Sequence, residues 1–261
     1  MDLAEKLAKV LKVANLPEEA VLFLAEKGCA LVEDEKAERR AFAEELERMT
    51  DDELRRFVPD VYQKNIYKID YRKLKEQGIR LISFDIDDTI NDVLFNNLQA
   101  RIPGGKLTMS ADARDLFREL KEMGVTVTLL TNAHTKIAQD TCEDLQADGY
   151  IARADKPDTR NFLRMMERYG AEPSQTAHVG NSMRQDIAGG NLAGVTTCLV
   201  RRAGVSMKAG KFFLKTAGLK TKGHLVRKRL LERDLWRKHH NCSKGDQYYQ
   251  LGEMPDYRAN A

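Results

Sequence analysis

Two carboxylates, Asp85 and Asp87, close the largely apolar run Ile79-Arg80-Leu81-Ile82-Ser83-Phe84, and Thr89 follows two residues later. The run reads as a buried strand. Side chains on a strand alternate between its faces, so acids two residues apart point the same way. Such a pair beside a small hydroxyl can hold a divalent cation and attack phosphorus. It can equally be an acidic turn that ends a strand, and the motif alone does not choose.

Three more polar clusters each follow a run that reads as a strand. Thr131-Asn132 follows 125–130, Lys156-Pro157 follows 151–154, and Gly180-Asn181-Ser182 with Asp186 follows 176–179. Helices are expected between them. Asp70 and Gly78 bracket one over 71–77, and Ser110 opens another that Gly124 ends. Others are expected at 136–147, 158–169 and 183–192, and a last strand at 196–200. Strands alternating with helices imply βαβ units, hence an α/β fold with a doubly wound parallel sheet. In such a sheet ligands bind beyond the carboxyl ends of the strands, so the four clusters converge on one crevice.

The order Asp-x-Asp-x-Thr, strand-Thr, Lys-Pro, Gly-Asn-x(4)-Asp resembles the haloacid dehalogenase superfamily of phosphatases. It is similar in more detail to the YqeG-type branch, which is related to mitochondrial phosphatidylglycerophosphatases. Phe57-Val58-Pro59-Asp60-Val61-Tyr62, then Ile69-Asp70, Leu74-Lys75 and Gly78-Ile79, resemble that branch's lead-in to its first motif. Asp186-Ile187-Ala188-Gly189-Gly190-Asn191 and a helix from Arg227 to Arg233 resemble its later parts. The resemblance covers about 57–200, extends loosely to 238 and leaves out 1–56.

This resemblance implies a Rossmann-like hydrolase that cleaves phosphomonoesters through an aspartyl phosphate. Asp85 is then the nucleophile and Asp87 the general acid and base. Thr131 and the Asn132 amide hold phosphoryl oxygens, and Lys156 offsets charge on the nucleophile and the transferring group. Mg²⁺ is the implied cofactor, with Asp85, Asp87, Asn181 and Asp186 as its ligands. Each position also has a plainer reading: Thr131 as a strand cap, Lys156 as a surface lysine, Asp186 as a first-turn acid. Two departures stand out. The family's fourth motif usually begins Gly-Asp, whereas this chain has Gly180-Asn181; an amide can ligate Mg²⁺ but removes a charge. Asp88 stands where Gly or Asn is commoner, and a short polar residue tolerates a turn.

Spacing bears on the substrate. Only 46 positions separate Asp85 from Thr131, and 25 separate Thr131 from Lys156. The resemblance implies that specificity caps, where present, are inserted in these gaps; once the helices are subtracted, neither gap holds a full cap domain, and 91–108 fits only a flap. A capless site is open to large or surface-bound substrates.

The 261 residues are 42% apolar and 32% charged, a soluble globular composition able to bury a core. No apolar stretch approaches the ~20 residues of a membrane span. The mixed-charge N-terminus is no secretory signal, and four scattered cysteines fit a reducing compartment, so a cytoplasmic location is expected. The expected organisation is a helical accessory region at 1–56, a phosphatase domain at 57–205 and a basic helix and tail at 206–261. Helices are expected around Leu3, Leu7, Val10 and Leu11, from Pro17, and from the capping box Thr50-Asp51-Asp52-Glu53.

The net charge of +3 hides an asymmetry, since 1–200 carry −7 and Arg201 to His240 carry +11. That basic segment fits an anionic membrane surface or, less well, nucleic acid, and equally a solvated helix with a tail. Its apolar pairs, Leu225/Val226, Leu230/Leu231 and Leu235/Trp236, recur every five residues and smear around a helix instead of forming one stripe. Phe212-Phe213-Leu214, beside Lys211 and Lys215, is the better insertion point and reads equally well as core. His239-His240-Asn241-Cys242 lacks a second half-site for a metal, and His178 reads as a core histidine.

Three readings follow. The first is a Mg²⁺-dependent phosphatase for a lipid phosphate such as phosphatidylglycerophosphate. The second is a phosphatase for a soluble or nucleic-acid phosphomonoester. The third, prompted by Asn181, is a weakly active or non-catalytic binding protein on the same fold.

Overall fold

The computed structural model describes residues 37–91, 106–201, 222–236 and 248–253. Its strands are β1 (Val61–Gln63), β2 (Leu81–Phe84), β3 (Thr126–Leu130), β4 (Gly149–Ile151), β5 (Thr176–Gly180) and β6 (Thr196–Val200). They pair in parallel in the order β1-β6-β5-β2-β3-β4. From β2 the chain winds outward through β3 and β4, then returns to β5 beside β2 and winds the other way. The switch point between β2 and β5 opens a crevice at their carboxyl ends.

Helices cover both faces, as expected for a doubly wound sheet. They are α1 (37–48), α2 (Asp51–Arg55), α3 (Tyr71–Glu76), α4 (Ala111–Glu122), α5 (Thr135–Leu145), α6 (Arg160–Tyr169), α7 (Ala188–Leu192) and α8 (Lys222–Glu232). The expected caps form: Thr50 and Glu53 close a reciprocal capping box, Asp70 accepts from Lys73 N–H, and Ser110 accepts from Ala113 N–H. Gly170 ends α6 with φ +59°, a left-handed position open to glycine without strain.

Strand alternation sorts the core. Ile82, Phe84, Val127, Leu129, Ala177 and Val179 join one buried cluster with Phe117 and Leu120 of α4 and Ile137 of α5. Leu81 and Leu130 point the other way, to Phe162, Met165 and Met166 of α6. Ser83 and His178, paired across β2 and β5, share the parity of Leu81 and Thr176 and so lie on this α6 face.

Four expectations are corrected. β1 was not expected; three residues buried on both sides show no alternation to read. The fourth strand is Gly149–Ile151 instead of 151–154, because Asp148 N–H bonds Val127 C=O and 152–155 then turn away. Helix 183–192 begins as a widened π-type turn, Met183–Ile187, before α7. The basic helix has one stripe after all: Val226 and Leu230, four apart, are fully buried, and the helix ends before Trp236.

A second apolar cluster joins Leu46 and Leu54 to Val226, Leu230 and Trp236 around Tyr62, Met183, Ile187 and Leu199. At the sheet edge Tyr249 pairs antiparallel with Tyr62 through two backbone bonds of 2.9 and 3.0 Å. Between Asp85 and Thr131 the described residues hold only the end of the β2 loop, α4 and β3. Between Thr131 and Lys156 they are α5 and β4, which leaves no room for a cap there. No helix of the described residues is long and apolar enough to cross a membrane. The helices expected before residue 20, most of the 91–108 flap, Phe212-Phe213-Leu214 and His239-His240-Asn241-Cys242 lie outside the described residues.

Leu230 is 0% exposed and its neighbour Leu231 is 36% exposed. Leu230→Ala is therefore expected to lower unfolding stability by about 2–5 kcal/mol. Leu231→Ala is expected to change it by no more than ~0.5 kcal/mol. Urea denaturation of both variants checks this, and equal losses would contradict the burial of α8 against the sheet.

Candidate active site

The sheet brings three of its loops together around one ammonium group. Asp85 follows β2 directly and its N–H bonds Val179 C=O of β5 at 2.9 Å, so the parallel ladder continues to the acid itself. Lys156 follows β4 and reaches back under the crevice. Its Nζ donates to Asp85 Oδ1 at 2.8 Å, Asp186 Oδ1 at 2.5 Å and Leu130 C=O at 2.8 Å. All three ammonium hydrogens are thus used, and the side chain is 1% exposed. Lys156 is no surface lysine.

The loop that carries Lys156 is stitched to the end of β3. Ala154 N–H bonds Thr131 C=O and Arg153 N–H bonds Ala133 C=O. The Asn132 side chain accepts from Lys156 N–H at 2.9 Å and donates to Lys156 C=O at 3.2 Å. Both ends of the Asn132 amide therefore hold the lysine backbone. Thr131 is buried, and its Oγ1 accepts from Ala133 N–H, which turns the loop out of the strand.

Asp186 comes from the widened turn after β5. Ile187 N–H reaches Ser182 C=O, five residues back, and the turn curls Asp186 under its own start. There Oδ2 accepts from Ser182 N–H at 2.8 Å, while Oδ1 takes Lys156 and the His178 Nε2 at 3.2 Å. A Cβ at position 180 would land on Asp186 Cγ, so the close approach requires Gly180.

Asp87 is half-buried in the loop after β2, and Asp88 takes φ +60°, the left-handed turn a short polar residue tolerates. Asn181 binds this loop: its Nδ2 donates to Asp87 C=O at 2.5 Å and to Thr89 Oγ1 at 3.0 Å. Thr89 Oγ1 in turn donates to Asp85 Oδ2 at 3.1 Å. Asp85 is therefore held from both sides, by Lys156 on one oxygen and by Thr89 on the other.

The electrostatics follow from burial and pairing. Burial pushes the Asp85 carboxyl above the usual carboxylate range, against the pull of Lys156. Burial acts the same way on Asp186, but Lys156 and the His178 hydrogen bond outweigh it and hold this acid below that range. Burial alone would lower Lys156; Asp186 and Asp85 reverse that and keep it charged. With both acids ionised, the cluster is one negative charge in excess.

Among the described residues no three or more His, Cys, Asp or Glu side chains are grouped to hold a metal ion. The oxygens that border the crevice still suit a hard cation. Asp85 Oδ2, Asp87 C=O and the Asn181 amide adjoin one another through the contacts above, and excess negative charge sits beside them. Lys156 takes the Oδ1 atoms of Asp85 and Asp186, so the oxygens available are these and Asp186 Oδ2, on which Ser182 N–H occupies one lone pair. The Asn181 amide must turn over to present its oxygen, because it now donates to the Asp87 carbonyl.

The residues singled out in the sequence thus fall into two connected groups: Asp85, Lys156, Asp186 and Asn132 in one, Asp87 and Asn181 in the other, with Thr89 as the bridge. Thr131 borders the first group through its backbone. Thr89 stood in the motif without an assigned role, and its spacing of four from Asp85 across a turn was the available signal. His178 is a core histidine by burial, yet it is bonded to Asp186. Its polar type at a position in register with Ser83 was the only sign.

A family model described as haloacid dehalogenase-like hydrolase matches residues 10–194. "Probable phosphatase YqeG" of Bacillus subtilis is 29% identical over 144 residues, 55% of this chain and 77% of that protein. The ribulose-1,5-bisphosphate 5-phosphatase of Halopiger xanaduensis is 28% identical over 102 residues, 36% of this chain and 43% of that protein. Among solved structures, the 3-deoxy-D-manno-octulosonate 8-phosphate phosphatase of Moraxella catarrhalis aligns with a TM-score of 0.36 and 13% identity. That alignment covers 56% of this chain and 90% of the other.

Asp186 sets a pH dependence of stability with a definite sign. Its folded value lies below the unfolded one, so its contribution is complete above the ordinary carboxylate pKa of ~3.9 and is lost as pH falls toward the folded value. Asp85 is shifted the opposite way, and acid relieves its burial. Asp186→Asn is therefore expected to lower stability by about 3–5 kcal/mol at pH 7, a deficit that shrinks below about pH 4. Urea titrations at pH 7, 4 and 3 measure it, and a deficit constant with pH would show that the charge of Asp186 is not its source.

Proposed function

The chain belongs to the haloacid dehalogenase-like hydrolase family and is a phosphatase, and from that premise we propose that it cleaves phosphomonoesters through an aspartyl phosphate on Asp85. The observation that carries this reading is the Asp85 carboxylate, fixed by Lys156 at 2.8 Å on one oxygen and by Thr89 at 3.1 Å on the other. A nucleophile so oriented needs little reorganisation before attack.

In the first step an Asp85 oxygen forms a bond to phosphorus and the bond to the leaving oxygen breaks. Asp87 gives that oxygen a proton. In the second step Asp87 takes a proton from water, the water oxygen bonds phosphorus, and Asp85 leaves as the carboxylate. Lys156 offsets the charge that accumulates near Asp85, while Asp186 keeps the ammonium in place. Thr131 and the backbone N–H of Asn132 are assigned to the phosphoryl oxygens; the Asn132 side chain is engaged in holding Lys156.

The metal proposed is Mg²⁺, held by oxygens of Asp85, Asp87, Asn181 and, through its remaining lone pair or a water, Asp186. It would supply charge neutralisation between two anions, which the one excess negative charge of the cluster calls for. Asn181 in place of an acid makes that site weaker by one charge. The same residue supports a second reading, in which the Asn181 bond to the Asp87 carbonyl stands where the ion would and the protein binds phosphate without turnover.

For substrate we propose an acidic lipid phosphate such as phosphatidylglycerophosphate at an anionic membrane surface. The supports are the capless spacing and the +11 segment from Arg201 to His240. The Halopiger relative's name points instead to soluble sugar phosphates, so a substrate panel needs both.

Phosphate release from p-nitrophenyl phosphate, lipid phosphates in anionic vesicles, sugar phosphates and nucleotides tests the proposal. Activity is expected with Mg²⁺, to be removed by EDTA, and Asp85→Asn is expected to abolish it. Undiminished turnover by that variant would sink the mechanism, and no gain from vesicles or lipid phosphate would sink the lipid substrate.

Asn181→Asp adds a carboxylate to the metal-facing group and is expected to lower the Mg²⁺ concentration for half-maximal activity by about tenfold, one charge-pair's worth of ~1.4 kcal/mol. A wild type silent across the panel, with turnover restored by this substitution, would favour the binding reading.

A further inference from the structure

Behind Asp186 lies a buried polar pair that the chemistry above does not use. Ser83 of β2 and His178 of β5 are each 0% exposed and sit directly opposite one another in the sheet. Ser83 Oγ is 2.8 Å from His178 Nδ1, and His178 Nε2 is 3.2 Å from Asp186 Oδ1. The Phe162 ring stands edge-on to the imidazole, with centroids 5.0 Å apart and planes at 83°. Burying a serine and a histidine costs free energy unless their polar atoms are bonded, and here the pair is bonded to each other and to Asp186.

We infer that Ser83 and His178 are positioning residues that hold Asp186 so that Lys156 remains shared between Asp186 and the nucleophile Asp85. The inference rests on the phosphatase reading of Asp85.

Asp186 is a carboxylate, so the imidazole nitrogen facing it must carry a hydrogen. With that hydrogen on Nε2, Nδ1 is open to accept, and Ser83 Oγ lies nearer to it, at 2.8 Å, than to the Ala177 carbonyl, at 3.4 Å, so the hydroxyl donates to the ring. The chain then runs in one direction: Ser83 O–H to His178 Nδ1, and His178 Nε2–H to Asp186 Oδ1.

That last bond matters because Asp186 Oδ1 also accepts from Lys156. Lys156 lies nearer Asp186, at 2.5 Å, than Asp85, at 2.8 Å. A carboxylate oxygen has about two lone-pair sites. With His178 on one of them, Oδ1 has only one left for the ammonium, and its direction is set. Ser182 N–H fixes Oδ2, so His178 supplies the remaining constraint on rotation of the carboxylate. Without it Asp186 turns its second lone pair toward Lys156 and draws the ammonium off Asp85. The nucleophile then loses its orienting partner while the residues that contact substrate are unchanged, so the loss falls on kcat and not on KM.

The test compares His178→Leu, His178→Gln, His178→Asn and Ser83→Ala, with p-nitrophenyl phosphate and MgCl₂. His178→Leu is expected to lower kcat by about 10- to 100-fold, with KM within a factor of about two. His178→Gln places an amide N–H near the former Nε2 and is expected to recover most of that loss; the shorter His178→Asn is not. Ser83→Ala is expected to give a smaller kcat loss in a folded protein, which decides the matter if His178→Leu does not fold. Wild-type kcat in Ser83→Ala and in whichever His178 variants fold, or Gln no better than Asn, overturns the inference while leaving the Asp85 mechanism standing. Independently of activity, ¹⁵N NMR of the wild type is expected to show His178 neutral with the hydrogen on Nε2. A bare Nε2, with the hydrogen on Nδ1, overturns the inference even if no substrate is turned over.

Discussion

A lysine ammonium shared between two buried carboxylates is the constraint around which the rest of this molecule is arranged. Removing three charges from water costs several kcal/mol per ion, and their attraction offsets that only when the geometry is good and every remaining hydrogen and lone pair is used. Lys156 meets that condition with three acceptors at 2.5 to 2.8 Å. The acceptors come from loops after β2 and β5 and from the last residue of β3, and the lysine comes from beyond β4. Four strands must therefore end at compatible heights. The in-register parallel pairing of β2 with β3 and β5, and of β3 with β4, provides this.

The two acids respond to the same lysine in opposite directions, and the difference is informative. Asp186 has Lys156, His178 and Ser182 as donors and stays ionised; Asp85 has Lys156 and Thr89 and is the acid that burial raises. The more fully bonded carboxylate is the fixed charge. The less fully bonded one has one donor on each oxygen and so keeps lone pairs over, as a group that must form a new bond requires. Asn181 belongs to this division too, since it adds a donor to Thr89 and to the Asp87 carbonyl without adding charge.

Much of this was legible in the sequence, and the reasons are physical. Strand-ending polar residues announce themselves because the strands before them are apolar and short, and β-branched runs such as Val125-Thr126-Val127 mark them well. The helix caps at Thr50, Asp70 and Ser110 were legible because they are local hydrogen bonds. What escaped depends on pairing across long separations. β1 is three residues whose burial comes from β6 on one side and Tyr249 on the other, neither visible nearby in the chain. His178 looked like a core residue because its partners, Ser83 and Asp186, meet it only through the sheet register and the curled turn. The five-residue spacing in the basic helix misled because it continued past the helix end at Glu232.

The helices outside the sheet bear on the same charges. Met183 and Ile187, on the turn that delivers Asp186, and Ala188 of α7 share one buried cluster with Leu46, Leu54, Val226 and Leu230. A buried carboxylate stays ionised only if its donors stay in place, because a lost lysine or histidine contact leaves desolvation cost uncompensated. The widened turn lies outside the sheet and takes no strand ladder bonds to hold it. Apolar packing from α1, α2 and α8 replaces that missing rigidity from behind, while Gly180 leaves the space into which the acid is pressed. The accessory helices are therefore mechanically continuous with the chemistry: they back the turn that fixes Asp186, which fixes Lys156, which orients Asp85.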